Sequence, residues 1–383
     1  MRALVISGMA LIAATYGLAR FGYGLFLPRF AEAFQIGPAI SGLIQSGSFL
    51  SFCLAAVTAA RIAARPRLIV ACAGTTAALG SAGIAAAPSA IILAPSVILA
   101  GAGAGFATPG LVALIERNIP RPRRESAQTI VNAGTGAGIV VAGTLMLLTL
   151  GQWRTGWAII AALSAMATIA TLSTDRSVGE RFSTPERAPI LASLALPIAA
   201  AALAGASSAA IWTFGRTLMV DSRAEGETYS ILAWMVLGAF GVLGATAGRL
   251  AHATGLRVAW ILTAAAMAAS TIALGMAPAA FLAAYISVAV FGATYTAVCG
   301  LLIVWASRVV PGHAAQGTAA LFIALAIGQA IGSALIGVIL GSTSPLVAFG
   351  IAAAVGFLAV LPATRRATSA PSLAAPASAG RLA

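Results

Sequence analysis

The sequence predicts an all-α membrane protein of twelve transmembrane helices arranged as two pseudo-symmetric six-helix bundles. Three observations carry this: an apolar composition, arginines that alternate from gap to gap, and an internal repeat near 190 residues. Of 383 residues, 60% are hydrophobic and 8% charged, and mean hydropathy is +0.99. A soluble domain of this size carries about a quarter charged residues. The chain has too little polar surface to cover a water-soluble globule, so its main solvent must be lipid. A soluble enzyme domain, a disordered chain and a disulfide-rich secreted module are excluded together. At about 20 residues per span, the apolar residues suffice for roughly eleven or twelve helices.

Apolar runs between Arg, Pro and polar punctuation place the first six spans at about 4–28, 39–60, 68–87, 90–115, 127–150 and 155–173. The second six fall at about 189–219, 228–250, 257–276, 279–306, 315–340 and 345–362. Met1-Arg2 before an apolar stretch looks like a signal peptide, but the run continues to Pro28 without a cleavage pattern. It therefore reads as a retained first span. Residues 1–173 form the expected first bundle and 174–188 a cytoplasmic linker with three Arg and three acids. Residues 189–363 form the second bundle, and 364–383, rich in Pro, Ala and Ser, a disordered cytoplasmic tail.

All 22 basic residues are Arg, against nine acids, giving a net charge of +13. Nucleic acid as a partner would need these Arg on one soluble face. They stand instead in short gaps, where they determine topology. With both termini in the cytoplasm, 17 Arg lie inside and only Arg29, Arg154 and Arg223 outside. One missed span would invert every later gap and destroy that split. The expected location is a bacterial plasma (inner) membrane, multi-pass, as a monomer with the lipid bilayer and a small-molecule substrate as its partners. Cys53, Cys72 and Cys299 are odd in number, irregularly spaced and inside apolar runs. They fit neither a disulfide framework nor a metal site, and no cofactor is expected.

The halves repeat. Gly134, Gly138 and Gly143 recur as Gly328, Gly332 and Gly337, an offset of 194. Phe21-Gly22, Leu25 and Ala31-Glu32 recur as Phe214-Gly215, Leu218 and Ala224-Glu225, an offset of 193. Arg61 and Arg67 have rough counterparts in Arg249 and Arg257. Three matches in sequence order indicate a duplicated six-helix unit.

Over essentially its whole length the chain resembles the major facilitator superfamily of transporters. Gly248 to Arg257 resembles that family's G-x-L-A-D-R-x-G-R loop, with His252 where the acid stands, and the first-half copy is shortened. The fifth-span glycine run resembles the family's antiporter motif, with Ile139 in place of its proline, and no Arg precedes Gly101 and Gly103. These departures argue against proton-driven drug antiport. Gly17-Leu18-Ala19-Arg20-Phe21-Gly22-Tyr23 with Pro28 is similar to the YbfB/YjiJ-like branch, whose substrates are largely unassigned.

Arg20 is the sharpest candidate for function, because an intramembrane Arg is costly unless it faces a wet cavity or a partner. At α-helical spacing Tyr16, Arg20, Tyr23 and Leu27 share one face. The resemblance implies that helix 1 and its symmetry mate, helix 7, line a central cavity. On helix 7, Trp212, Thr213 and Arg216 share a face. Arg20 and Arg216 from opposite halves are expected to clamp a carboxylate or phosphate by bidentate guanidinium contacts. Snorkelling of both Arg toward the outer interface is the competing reading. Gln45, Asn132, Tyr295 and Gln329 are candidate cavity residues that fit interhelical hydrogen bonding equally well.

No Asp or Glu lies in the middle third of any predicted span, which favours neutral or anionic cargo over cations. The end-of-helix acids Glu32 and Glu227 remain as coupling candidates. The expected function is alternating-access transport of a small organic anion. The alternative is export of hydrophobic compounds, with Arg20 structural. An enzyme is not expected: His252 and His313 fall in predicted loops, and no nucleophile or metal cluster is legible. A Cys replacing Arg123, in a background lacking the three native Cys, should react with an impermeant maleimide only in inside-out vesicles. Labelling of intact cells would overturn the threading.

Overall fold

A computed structural model describes residues 2–149, 152–175, 191–223 and 226–364. Most of the expected linker, from 176 to 188, and the tail from 365 lie outside the described residues. Twelve helices among them are long and apolar enough to cross a membrane. They are α1 Arg2–Phe34, α2 Pro38–Arg61, α3 Pro66–Ala86, α4 Ala90–Asn118, α5 Arg121–Thr149 and α6 Trp153–Thr174. The second six are α7 Ala195–Asp221, α8 Gly226–Thr254, α9 Leu256–Met276, α10 Phe281–Val309, α11 Pro311–Ser342 and α12 Pro345–Ala363. Short connections make successive helices antiparallel within each set of six, and Pro38 at the start of α2 lies against Gly337 near the end of α11. Both Arg2 and Leu361 therefore lie at one face of the bundle, the terminal face, opposite a distal face.

Helix ends depart from the sequence reading where polar residues are helical. α1 continues through Pro28 to Phe34, and α5 begins at Arg121 instead of near 127. Apolar runs register only the hydrocarbon core, about 30 Å thick, whereas a helix extends into the interface on either side. In the opposite sense, α7 begins at Ala195, because residues 191–194 form turns.

The duplication is visible in packing. Cβ atoms on Gly134 and Gly138 of α5 would collide with the carbonyls of Met9 and Ala13 on α1. In the second half, Gly328 and Gly332 of α11 press in the same way on the carbonyls of Ala202 and Ala206 on α7. The partners are offset by the same 193 and 194 residues as the sequence repeat. Small residues let backbones approach closely enough for dispersion to hold helices together where lipid supplies no hydrophobic drive.

Both helices so gripped contain a π-helical segment, Ala13–Arg20 in α1 and Ala210–Gly215 in α7. At the end of the first, the Phe21 amide donates to the Tyr16 carbonyl five residues back at 2.9 Å. A wide turn of this kind holds an extra residue and rotates everything beyond it relative to an α-helical continuation.

The bundles meet along the distal half. The α1 segment Gly22–Phe34 packs on the distal part of α7, α2 packs on α11, and α5 on α8. Contact is close enough that Cβ atoms on Gly24 and Gly42 would strike the Trp212 and Ser333 carbonyls across the interface. Toward the terminal face each bundle packs on itself: Arg2–Ile12 on α4, α5 and α6, and Ala195–Ala209 on α9 to α12. Gly332→Val should destabilise the fold by about 1–3 kcal/mol, the usual cost of overpacking. Gly341→Val, with open space at its Cβ, should be neutral. Melting temperatures of the two purified variants check this.

Candidate functional site

Arg20 ends the π segment of α1, 18 residues from Arg2 and 14 from Phe34, so it lies about 20 Å or more from either helix end. It is 3% exposed. Its guanidinium carbon stands 4.0 Å from the Phe52 ring and 5.1 Å from that of Phe49, both on α2. Within α1, the rings of Phe21 and Tyr16 lie 5.4 and 5.7 Å away. Nη2 donates to Gln329 Oε1 on α11 at 3.0 Å, so the opposite bundle holds this arginine too. Gln329 Nε2 in turn donates to the Tyr295 hydroxyl on α10 at 3.1 Å. Arg20 makes no ion pair with an acid among the described residues.

Aromatic rings from both bundles close the layer. Phe21 stacks on Trp212 of α7 at 4.0 Å, and Trp212 meets Tyr295 edge-on at 5.1 Å. Half-buried Tyr16, one turn toward the terminal face, shares a 2.9 Å hydrogen bond with Thr108 of α4. A cavity of about 30 Å³, room for one or two waters, adjoins Trp212 and Tyr295 and is also lined by Thr135, Gly136, Gly238 and Thr296.

Gln45 of α2 is fully buried, and neither amide atom has a hydrogen-bond partner. Its level follows from the antiparallel packing of α1 on α2. The Tyr23 hydroxyl donates to the Ser41 carbonyl at 3.0 Å, and the Tyr16 and Phe52 rings meet at 6.2 Å. Those contacts bracket Gln45 at the depth of Arg20, and on the helical wheel it falls between Phe49 and Phe52, the two rings facing the guanidinium. Arg20 Nε and Trp212 Nε1 are likewise buried without a partner. Buried polar groups ordinarily find partners. Arg20, Gln45 and Trp212 thus each keep a buried polar atom without a partner at this depth.

Of the residues singled out from sequence, Arg20, Tyr16, Tyr295 and Trp212 come together here, with Gln45 level with them. Tyr23 faces α2 as Arg20 and Tyr16 do, but nearer the distal end: its ring packs on Phe30 at 5.8 Å and its hydroxyl donates to the Ser41 carbonyl. Thr213 is buried against Ser333 inside its own bundle, the hydroxyls 2.8 Å apart. Asn132 is exposed on α5, and its Oδ1 accepts from Gln128 at 3.3 Å.

The expected clamp of Arg20 with Arg216 requires correction, because Arg216 belongs to a distal charge cluster. Its Nη2 lies 2.6 Å from Glu227 Oε1 on α8 and its Nε 3.2 Å from the Ser230 hydroxyl, while Nη1 donates to the Leu25 carbonyl of α1. Arg29 Nε approaches the same Glu227 oxygen at 3.5 Å, and Arg29 Nη1 pairs with Glu32 at 3.3 Å. Arg216 shares no partner with Arg20. An acid one helix away satisfies it, and that proximity is invisible in linear sequence.

Sequence reasoning missed Phe21, Phe49 and Phe52 as site residues. In a chain this apolar, no pattern separates a cavity-facing Phe from a packing one. A buried polar layer lies between the two bundles at mid-depth of a polytopic helical membrane protein. Residues 9–333 match the Major Facilitator Superfamily. The chain therefore belongs to that superfamily. Comparison with curated proteins found no match. Among solved structures, it resembles a POT family transporter in complex with a thioalcohol-conjugated peptide. The TM-score is 0.76 at 12% identity, covering 94% of each chain. It also resembles the nucleoside transporter NupG (TM-score 0.71, 16% identity, 94% of this chain and 98% of that one). A third is the xylose transporter XylE from E. coli in a partially occluded inward-open conformation (TM-score 0.73, 14% identity, 94% and 96%). At such identities the likeness is one of fold.

Glu227→Gln keeps an acceptor for Arg216 but removes the charge that draws Arg29 and Arg216 together across the bundles. Spin labels at Gln35 and Asp221 should then show a longer distance population than in the unmodified protein. An unchanged distribution would mean the cluster does not hold the distal side closed.

Proposed function

We propose that this protein is a secondary transporter that moves a small organic anion by alternating access. In this reading Arg20 anchors the solute between the bundles and the terminal face is cytoplasmic. One observation carries it: a buried guanidinium at mid-depth, unpaired with any acid among the described residues and contacted by both bundles. Burying a charge without a counter-charge is unfavourable, and an anion delivered to Arg20 relieves that cost. Because Phe52 and Gln329 hold the guanidinium from opposite bundles, a solute bound there senses both. Rocking of the bundles about it would then change which face the solute can reach. The distal cluster around Glu227 and the close passage of α1 over α7 are suited to closing the far side in this state. Both termini, the linker and most Arg are then cytoplasmic, and the protein sits in the plasma membrane as a monomer.

A second reading, export of hydrophobic compounds with Arg20 structural, is favoured by one specific feature. Phe52 lies 4.0 Å from the guanidinium carbon and Gln329 accepts from it, so the arginine has some internal satisfaction.

Variants at position 20 separate the two. In proteoliposomes, Arg20→Ala should reduce exchange of anionic solutes at least a hundredfold with folded yield preserved. Arg20→Lys should recover less than a tenth of the activity if a planar, forked donor is required. Full anion exchange by Arg20→Ala would remove the anion reading.

A further inference from the structure

We propose that the solute of the Arg20 site is a monocarboxylate with a flat, apolar body, of the aryl-acid kind. This rests on the reading of Arg20 as an anion anchor and adds to it the number of charges and the shape of the cargo. Arg20 and Arg216 are the buried charged residues of the described spans, and Arg216, near the distal end of α7, is paired with Glu227. One positive charge is therefore left at mid-depth among the described residues. A monoanion cancels it, whereas a dicarboxylate or phosphate dianion would leave a net negative charge in a low-dielectric layer. A cationic solute would meet unopposed repulsion.

The walls supply the shape. Phe21 stacked on Trp212, with Phe49, Phe52, Tyr16 and Tyr295 around the guanidinium, makes the surroundings of the charge aromatic, and a solute would enter by parting these rings. Flat apolar groups gain offset-stacked and edge-to-face contacts against such walls. Around Arg20 the buried polar atoms without a hydrogen-bond partner are Arg20 Nε, the Trp212 indole N–H and the Gln45 amide, with the Trp234 indole N–H behind Trp212. A sugar or nucleoside needs many more donors and acceptors than that. A carboxylate, with two acceptor oxygens, matches a guanidinium edge and one or two neutral N–H groups.

Gln45 gives the proposal a test that does not depend on losing the arginine. Its amide is buried without a partner, so Gln45→Leu removes an unsatisfied group and should raise the melting temperature of the ligand-free protein. If the amide is held for the carboxylate, the same variant should bind the acid about tenfold more weakly. Purified full-length protein is titrated with benzoate, benzamide, acetate, succinate and inorganic phosphate, following binding by calorimetry and thermal stabilisation. Benzoate is expected to bind at least tenfold more tightly than every other probe, with binding abolished in Arg20→Ala and weakened in Gln45→Leu. Tighter, Arg20-dependent binding of succinate or phosphate would overturn the monocarboxylate inference and leave the anion anchor standing. Equal binding of benzoate and benzamide, indifferent to Arg20→Ala, would overturn both, as would no binding by any anion. A Gln45→Leu variant that is stabilised yet binds benzoate unchanged would remove Gln45 from the site.

Discussion

A single guanidinium in the middle of a bilayer-spanning bundle sets the terms for everything around it. Moving an Arg to that depth costs from about 3 to over 10 kcal/mol, depending on how far water and lipid adapt. The contacts to Arg20 offset part of this. A desolvated cation–π interaction contributes about 2 kcal/mol and a charge-assisted hydrogen bond about 1.5–3 kcal/mol. Phe52 and Gln329 thus reach the lower end of the cost and not the upper end. Internal contacts make the arginine tolerable without neutralising it, which is the condition a charged solute can exploit.

Backbone geometry makes those contacts available. α1 and α7 are each drawn against a partner helix by glycines that admit no Cβ, so backbone lies on backbone. Each then widens into a π segment near mid-depth. Such segments occur often at functional sites, since the wide turn redirects the side chains beyond it. In α1 it leads directly into Phe21, which stacks on Trp212. Close packing and local widening therefore work as a pair: one fixes the helix, the other re-aims its face.

The two buried arginines receive opposite treatment. Arg216 reaches Glu227, which also stands near Arg29, and together with Glu32 the two acids balance the two arginines across the bundle interface at the distal end. Arg20 meets rings and an amide. Charges at a helix end sit near water and can be exchanged between ion partners at modest cost. A charge at mid-depth has no such reservoir. The distal cluster thus joins the bundles through paired charges, and the central layer joins them through rings and an amide.

Sequence alone determined the solvent, the number of spans, the duplication and the presence of an arginine deep in the first span. These rest on composition, on counting Arg between apolar runs and on the rarity of charge within them, none of which needs knowledge of what touches what. Tertiary structure decided the partners. Gln329 lies 309 residues from Arg20, and Glu227 meets Arg216 from a different helix. Tyr23 shares the α2-facing side of α1 with Arg20, but its hydroxyl is taken by the Ser41 carbonyl, a contact that helical spacing does not show. The aromatic wall of Phe21, Phe49 and Phe52 stayed hidden because, in a chain dissolved in lipid, apolar residues face outward, inward and one another alike. Only packing tells those three surfaces apart.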